Sequence, residues 1–227
     1  MTSDIVGEKL RVDDLAALLK RLRELGAKHV GSVHEENALF DTSERELQKM
    51  RAVLRLRRET LAAPAGRPRT RQKRATGSAG LLTFKGPVPN KRNGKPSNKH
   101  EGRRNEEQGS AEKYKIREEI ESRIGNADEL ERLFNRLGLQ SWFRYEKYRT
   151  KYRLRRFPRL HLDLDETPIG TFLELEGAKR AIDGAARALG YGEEDYIAVS
   201  YLELYFENCE RRGVEPGDMV FRTKKSH

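Results

Sequence analysis

The sequence predicts an α+β fold in which two similar halves form an antiparallel β-barrel of about eight strands, with helices outside. Three observations support this prediction. The order strand, helix and several strands occurs twice, each helix carries one apolar stripe, and many strands have charge at every second position. A barrel of about eight strands encloses room for one small ligand, and a polar interior would account for the repeated charge.

The first half begins with a predicted strand at GEKLRV (7–12). The next segment is predicted to be a helix that Asp13 caps and Gly26 ends. Its apolar stripe consists of Leu15, Leu18, Leu19, Leu22 and Leu25. Three further strands complete this half, with the sequences HVGSVHEENALFD (29–41), MRAVLRLRRE (50–59) and LLTFKG (81–86).

The second half repeats this plan, beginning with a predicted strand at KYKIREEIESRI (113–124). A helix follows, because Asn126 and Glu129 resemble a capping box and Gly138 provides an end. Its apolar stripe consists of Leu130, Leu133, Phe134 and Leu137. Three strands then follow, with the sequences WFRYEKYRTKYRLR (142–155), RLHLDLDE (159–166) and GTFLELEG (170–177). Residues 178–189 are predicted to form a final helix that ends at Gly190.

Length and composition favour one domain, residues 1–227, in the cytoplasm. No apolar run approaches the roughly 20 residues of a membrane span, so we expect no membrane partner. The N-terminal residues lack the pattern of a secretory signal. Cys209 is the only cysteine, which excludes an internal disulfide, and the usual zinc motifs CxxC and HExxH do not occur.

The net charge of +10 is concentrated in the middle of the chain. Residues 61–115 contain 14 Lys and Arg but only 4 Asp and Glu. Within them, 61–80 and 88–112 have few large apolar residues and are predicted to be mobile basic insertions. Such segments can tether a polyanion, but no aromatic residues are interleaved for base stacking. Solvated insertions are therefore the preferred interpretation, and nucleic acid is not expected as a partner.

Charged residues recur at every second position in five predicted strands. The pairs are Arg55 with Arg57, Glu119 with Glu121, Lys147 with Arg149, Asp163 with Asp165, and Glu174 with Glu176. Because side chains alternate along a strand, the members of each pair point the same way. Paired acids suit hard cations, and paired arginines suit phosphate oxygens, so the pattern favours a site for a metal-bound polyphosphate. The alternative is the solvated face of an ordinary antiparallel sheet, although five strands exceed what one such face needs.

Several of these segments together resemble the CYTH superfamily, which includes class IV adenylate cyclases and thiamine triphosphatases and is also called the triphosphate tunnel metalloenzymes. The matching runs, in the family's order, are ENALFDT (36–42), VLRLRRE (53–59), LTFKGP (82–87), KIREEIE (115–121), EKYRTKYRL (146–154), LDLDETPIGTFLELEG (162–177) and SYLELYF (200–206). The resemblance implies an eight-stranded tunnel that binds a triphosphate together with Mg²⁺ or Mn²⁺.

Roles follow from the resemblance, residue by residue. The implied metal ligands are Glu174, Glu176 and Asp165. The implied phosphate-binding residues are Lys9, Arg55, Arg57, Lys85, Lys147 and Arg149. Further possible tunnel acids are Glu119, Glu121 and Glu8. No catalytic nucleophile is predicted.

The N-terminal strand departs from the family pattern, which opens with Glu-x-Glu-x-Lys. Counting back from Lys9, the two acidic positions hold Ile5 and Gly7. Simple alternation places Glu8 on the opposite face, unless a bulge at Gly7 turns it inward. This departure bears on metal binding and catalysis more than on the fold.

The resemblance implies three candidate functions. Class IV adenylate cyclase-like conversion of ATP to cyclic AMP and pyrophosphate is placed first. Hydrolysis of inorganic tripolyphosphate or thiamine triphosphate is the alternative. The third candidate is a protein that binds a phosphorylated ligand without turnover, which the missing acids would favour. The expected partner is ATP or another triphosphate, and a homodimer is possible.

Overall fold

The computed structural model describes residues 6–68, 77–87 and 118–222. The insertion predicted at 88–112 lies outside the described residues, as does part of the one predicted at 61–80. The described start of that first insertion packs against the sheet. The backbone N–H of Ala62 donates to the carbonyl of Ser32 (3.0 Å), and that of Ala65 donates to Thr150 Oγ1 (3.0 Å).

Eight strands and five α-helices make up the described chain. The strands are β1 (Val6–Val12), β2 (Lys28–Asp41), β3 (Val53–Leu61), β4 (Gly80–Lys85), β5 (Glu119–Ile124), β6 (Gln140–Leu154), β7 (Phe157–Thr167) and β8 (Gly170–Gly177). The helices are α1 (Leu15–Glu24), α2 (Glu46–Lys49), α3 (Ala127–Arg136), α4 (Lys179–Leu189) and α5 (Tyr201–Arg212). None of these helices combines the length and the apolar character needed to cross a membrane.

The strands form a single antiparallel sheet in the order β1-β8-β7-β6-β2-β3-β4-β5. The predicted α+β fold with eight antiparallel strands and two similar halves is therefore confirmed. One difference concerns closure. Within the described residues β1 and β5 are the two edges, so backbone hydrogen bonds do not join the sheet into a complete ring.

The helix ends follow local capping chemistry. Asp14, not the predicted Asp13, caps α1, and its side chain accepts from the backbone N–H of Ala17 at 2.9 Å. Asn126 caps α3 as predicted. The α5 helix was not predicted from the sequence, although Ser200 and Glu203 form a capping box at its start.

The face of the sheet that carries the leucines, here called the outer face, is covered by helices in two places. Under α1 and α4 lies a core that includes Leu10, Leu164 and Leu173, each with 0% exposure. Under α3 lies a smaller core that includes Phe40 and Leu56. Burial of these apolar side chains is the main stabilising contribution to the fold.

The opposite face, here called the inner face, is charged in its middle and apolar at one end. At the apolar end, Leu39 and Phe143 pack with residues of α5 and with the buried Met219. The C-terminal segment is also held by backbone hydrogen bonds, because the N–H of Met219 donates to the carbonyl of Arg144 at 2.9 Å. The α5 helix and this segment therefore cover one end of the inner face.

Candidate active site

Strand register brings the predicted site residues of seven strands to the inner face. Lys9 lies opposite Glu174, and Glu174 lies opposite Asp163. Similar pairings extend across the sheet to β5. The predicted site residues on this face are Lys9, Arg55, Arg57, Lys85, Lys147, Arg149, Asp165, Glu174, Glu176, Glu119 and Glu121. Side-chain alternation and register suffice to gather them.

Glu8 is placed differently. The pairing of β1 with β8 runs from Val6 to Val12 without a shift, so the described strand has no bulge at Gly7. Glu8 consequently lies on the outer face with Leu10, and Gly7 takes the inner position opposite Glu176. This geometry does not support Glu8 as a tunnel acid. Ile5 lies outside the described residues.

Asp165 lies at the centre of the inner-face charges and is fully buried. Its carboxylate accepts from Lys147 Nζ at 2.7 Å, from Arg149 Nε at 2.7 Å and Nη2 at 2.6 Å, and from the Tyr201 hydroxyl at 2.9 Å. Burial alone would raise the pKa of Asp165, but Arg149 and Lys147 outweigh it and hold the pKa well below its ordinary value. Both carboxylate oxygens of Asp165 already accept hydrogen bonds from these donors. Asp165 is therefore better suited to position Lys147 and Arg149 than to bind a metal ion directly.

Arg149 links the carboxylates of two strands. Besides Asp165 it contacts Asp163 through Nη1 at 2.8 Å and Glu174 through Nη2. Burial opposes the charge of Arg149, but the surrounding acids raise its pKa well above the ordinary value. The carboxylates of Asp163, Asp165 and Glu174 and the guanidinium of Arg149 therefore hold one another in place.

Glu35 is a buried inner-face residue that was not among the predicted site residues. Its side chain is 0% exposed and lies 3.2 Å from Arg57 Nη1, 3.6 Å from Lys147 Nζ and 3.7 Å from Arg149 Nε. Burial would raise the pKa of Glu35, but these cations lower it, so the group stays ionised. The sequence did contain a signal for the inward direction of Glu35, because Glu35 alternates with Asn37 and Leu39 along the strand. The neighbouring polar residues His34 and Glu36 obscured this pattern.

Tyr201 is the second missed residue, and it reaches the charged cluster from α5. Its ring lies 4.2 Å from Lys9 Nζ and 5.1 Å from Lys147 Nζ. Burial, together with Asp165, raises the pKa of Tyr201 well above its ordinary value, so its hydroxyl remains a hydrogen-bond donor. Burial also lowers the pKa of Lys9, whose ammonium donates to the carbonyl of Val199 at 2.8 Å. The start of α5 is thus part of the site.

The cations of β3 and β4 form the other flank of the inner face. Arg57 Nε donates to Asn37 Oδ1 at 3.0 Å, and Lys85 pairs with Glu119 at 2.8 Å. Arg55 reaches Thr83 Oγ1 at 3.1 Å, which in turn donates to Glu121 at 3.0 Å. These cations lie on β3 and β4, which β2 separates from β6, so a linear phosphate chain lying across these strands would meet donors from both groups.

The donor chemistry of the inner face suits a hard divalent cation. Glu174 is 31% exposed, and Glu176 follows on the same side of β8, so carboxylate oxygens face the accessible part of the site. Among the described residues, no group of three or more Asp, Glu, His or Cys side chains is arranged to hold a metal on its own. This still fits magnesium, which usually takes one or two carboxylates and completes its shell with water and substrate phosphates.

Aromatic residues near the site are occupied in packing. Phe143 stacks with Tyr145 and also contacts Tyr205 and Phe206 of α5. Trp142 carries the guanidinium of Arg45 over its ring, at 4.8 Å. These rings pack at the covered end, where Phe143 is buried and Trp142 and Tyr145 are partly buried.

Comparison with known proteins gives the same fold. A curated relative from Methanocaldococcus jannaschii, named "Putative adenylate cyclase", is 23% identical over 207 residues, which cover 86% of this chain and 95% of the relative. A solved structure from Pyrococcus horikoshii OT3 has a TM-score of 0.63 at 24% identity and covers 90% of this chain and 99% of that one.

Two further solved structures carry names that refer to activity. A "putative adenylate cyclase" from Vibrio parahaemolyticus has a TM-score of 0.61 at 18% identity, with 90% of this chain and 98% of that one covered. A Hippeastrum protein, described as a putative adenylyl cyclase with a dominant triphosphatase activity, has a TM-score of 0.54 at 18% identity and covers 93% and 97%. At these identities the structures show the fold.

The family comparison covers most of the chain. Residues 8–201 match the CYTH domain, and this range includes every described strand except the first residues of β1, together with Tyr201 at the start of α5. The charged inner face lies within the matched range, and the chain therefore belongs to the CYTH family.

Proposed function

We propose that the protein binds a linear triphosphate on its inner face and hydrolyses it with the help of Mg²⁺ or Mn²⁺. The observation that carries this proposal is the juxtaposition of cations from β1, β3, β4 and β6 with the carboxylates of β7 and β8 on one buried face. A triphosphate needs both groups, because its charge is neutralised partly by basic side chains and partly by a metal ion.

The basic residues supply binding and charge relief. Arg55, Arg57 and Lys85 lie on neighbouring strands, and their side chains are 15%, 12% and 26% exposed, so each side chain is open in part to a phosphate ligand. Lys9 and Lys147 lie together beside the Tyr201 ring. These donors would stabilise the charge that develops on the leaving phosphate without having to reorganise.

The acidic residues divide into two roles. Asp165 and Glu35 fix the cations of β3 and β6, whereas Glu174 and Glu176 are the residues that would hold the metal ion. A bound divalent ion would supply Lewis-acid stabilisation of phosphate oxygens and an activated water. Because Gly7 offers no carboxylate and Ile5 is apolar, we expect weaker metal binding than in a protein with the full acidic pattern.

Hydrolysis is placed ahead of cyclisation, which reverses the order that the sequence suggested. Cyclisation requires an adenosine to be held with its ribose hydroxyl beside the reacting phosphorus. The described aromatic residues that would suit an adenine, Trp142, Phe143 and Tyr145, are packed together at the end covered by α5. Simple phosphate hydrolysis has no such requirement.

Adenylate cyclase activity is the second candidate. The observations that favour it are the names of the relatives from Methanocaldococcus jannaschii and Vibrio parahaemolyticus. The Hippeastrum protein, described by the same kind of name and by a dominant triphosphatase activity, shows that such a name and hydrolysis can go together.

The deciding experiment incubates the purified full chain with Mg²⁺ or Mn²⁺ and, separately, tripolyphosphate, ATP and thiamine triphosphate, and resolves all products. Release of orthophosphate from tripolyphosphate, absent when EDTA is added, is the expected result. Cyclic AMP and pyrophosphate from ATP would instead favour the second candidate. Thermal protection by tripolyphosphate without any product would indicate a binding protein.

A further inference from the structure

Residues 217–221, here called the strap, run along the edge of β6. In a short parallel bridge, the N–H of Met219 donates to the carbonyl of Arg144, and the N–H of Glu146 donates to the carbonyl of Met219, both at 2.9 Å. The pairing of β6 with β7 begins further along the strand, at Tyr148. The strap therefore continues the sheet beside the part of β6 that precedes β7.

The strap contacts both faces of the sheet. On the inner face, Met219 is 1% exposed and belongs to the apolar cluster against which Tyr201 and Tyr205 of α5 pack. On the outer face, the ring of Phe221 packs against that of Tyr148, with the ring centroids 5.0 Å apart. Tyr148 points outward because it alternates with the inner-face residues of β6. A segment of five residues is thus anchored on both faces.

The strap is also hydrogen-bonded to α5. The Tyr205 hydroxyl donates to the carbonyl of Asp218 at 3.4 Å and accepts from the N–H of Gly217 at 3.2 Å. The carboxylate of Asp218 in turn accepts from the backbone N–H of Arg144 at 2.8 Å. The strap therefore joins α5 to β6 by hydrogen bonds as well as by apolar packing.

The segment that leads into α5 is held by a different strand, β1. The N–H of Ile197 donates to the carbonyl of Lys9 at 2.8 Å, and Tyr196 forms an antiparallel bridge with Leu10. Three strand-to-strand steps separate β1 from β6, which is roughly 14 Å along the sheet. The 12 residues of α5 span about 18 Å and so can cross this distance. The helix is consequently held from two sides, by β1 before its start and by the strap on β6.

We propose that the strap positions Tyr201 in the charged cluster, so that Met219 and Phe221 are positioning residues for the lysines beside Tyr201. This proposal rests on the proposed function, because those lysines are the ones that would bind phosphate. The strap lies beyond residues 8–201, the range that matches the CYTH domain, so the family comparison does not cover this role.

The contacts of Tyr201 explain why its position matters. Its hydroxyl donates to Asp165 at 2.9 Å, and its ring lies 4.2 Å from Lys9 Nζ and 5.1 Å from Lys147 Nζ. A displacement of α5 by about 1 Å away from the sheet would take the hydroxyl out of hydrogen-bonding range of Asp165. The same displacement would move the ring away from both ammonium groups. A change at the strap should therefore reach the site through this one side chain.

The first test measures tripolyphosphate hydrolysis by the full chain carrying Phe221→Ala or Met219→Ala, with urea unfolding to show that each variant is folded in the assay. We expect kcat to fall at least about tenfold and KM to change by less than about threefold, because misplaced groups mainly weaken transition-state contacts. Met219→Leu, which keeps the buried volume, should restore most of the activity. The control is Val214→Ala, at a 46% exposed position between α5 and the strap, which should match the natural protein.

A double-mutant cycle separates positioning from a general structural role. Tyr201→Phe keeps the ring but removes the hydroxyl. In that background Phe221→Ala should lower kcat by less than about threefold further, because the contact through which it acts is already lost. An equal tenfold loss in both backgrounds would overturn the proposal, as would a Phe221→Ala protein with the kcat of the natural protein.

A second readout does not depend on turnover. Because Lys9 Nζ lies 4.2 Å from the Tyr201 ring, the ring should shift the NMR resonances of the Lys9 ε-methylene protons upfield in the ligand-free protein. Met219→Ala should reduce this shift, whereas Val214→Ala should keep it, and an unchanged shift in Met219→Ala would contradict the positioning role. Failure of the proposed function has a different signature. The natural protein would then not hydrolyse tripolyphosphate, although the Lys9 shift would still depend on Met219.

Discussion

The two faces of the sheet are built from alternating residues of the same strands, yet they have opposite chemistry. In β7 and β8 the leucines point outward into a core with no solvent exposure, whereas Asp163, Asp165 and Glu174 point inward to cations. The outer face gains stability from apolar burial, which is not directional. The middle of the inner face contains buried ion pairs, which add little net stability but become costly when one partner is lost. Substitutions on the two faces should therefore separate stability from activity.

Asp165→Asn should give the largest effect. For this inner-face substitution we expect stability and activity to fall together. Removing one member of a buried ionic cluster costs about 3–5 kcal/mol, because Lys147 and Arg149 would keep their charge without its main partner. We expect lower unfolding stability in urea and loss of activity together. The exposed control Glu210→Gln should change neither, and a stable Asp165→Asn protein would show that the cluster is not structurally required.

The same carboxylate gives a pH dependence with a definite sign. The pKa of Asp165 is lower in the folded protein than its ordinary value, so its contribution to stability is fully present above about pH 4 and declines at lower pH. The natural protein should therefore lose melting temperature on acidification more steeply than Asp165→Asn does. Parallel curves for the two proteins would contradict the depressed pKa.

Leu173→Ala should affect stability alone. Leu173 is 0% exposed in the outer core, and truncation of a buried leucine costs about 2–5 kcal/mol. Activity per folded molecule should stay within about twofold, because the inner-face register is set by backbone pairing. Leu133, which is 52% exposed on α3, provides the control, since Leu133→Ala should change stability by less than about 0.5 kcal/mol. A large fall in turnover by folded Leu173→Ala protein would mean that the faces are coupled.

Glu174→Gln combined with Glu176→Gln should mainly reduce activity, in contrast to Leu173→Ala, which should mainly reduce stability. We expect metal-dependent turnover to fall at least about 100-fold, equivalent to about 2.7 kcal/mol of transition-state stabilisation. The melting temperature should fall much less than that of Asp165→Asn, because Glu174 is 31% exposed and Arg149 keeps Asp163 and Asp165 as partners. The measurement is a titration of activity with Mg²⁺ and Mn²⁺, and Glu207→Gln with Glu210→Gln on α5 serves as the charge-matched control. An unchanged titration would remove these residues from the metal site.

Gly7→Glu should give the smallest effect. It tests whether β1 contributes to the inner face at the position next to Glu8, which lies on the outer face. Gly7 faces inward beside Glu176 in open space, so an added carboxylate would stand with the proposed metal ligands. We expect the metal concentration for half-maximal activity to fall a few-fold, with little change in stability. Glu8→Gln on the outer face is the control for the neighbouring position. If Gly7→Glu leaves the metal dependence unmoved, β1 does not contribute to the metal site.

Much of this architecture could be predicted from alternation alone. The charge pairs at residues 55 and 57, 147 and 149, and 174 and 176 share one face in the sheet, as period two requires. The order of elements in each half was also readable, because apolar stripes and capping residues are local signals. Glu8 was harder to place, since its direction depends on whether β1 has a bulge.

The sequence by itself determined the strands, their two-faced pattern and the presence of a charged interior, because these depend on residues close together in the chain. Only the tertiary structure decided which charges neutralise one another. Asp165 is engaged by Lys147, Arg149 and Tyr201, and the isolated acid Glu35 is surrounded by cations of β3 and β6. These contacts join residues distant in sequence, and their strength depends on burial, which makes a nearby charge effective and a missing partner costly.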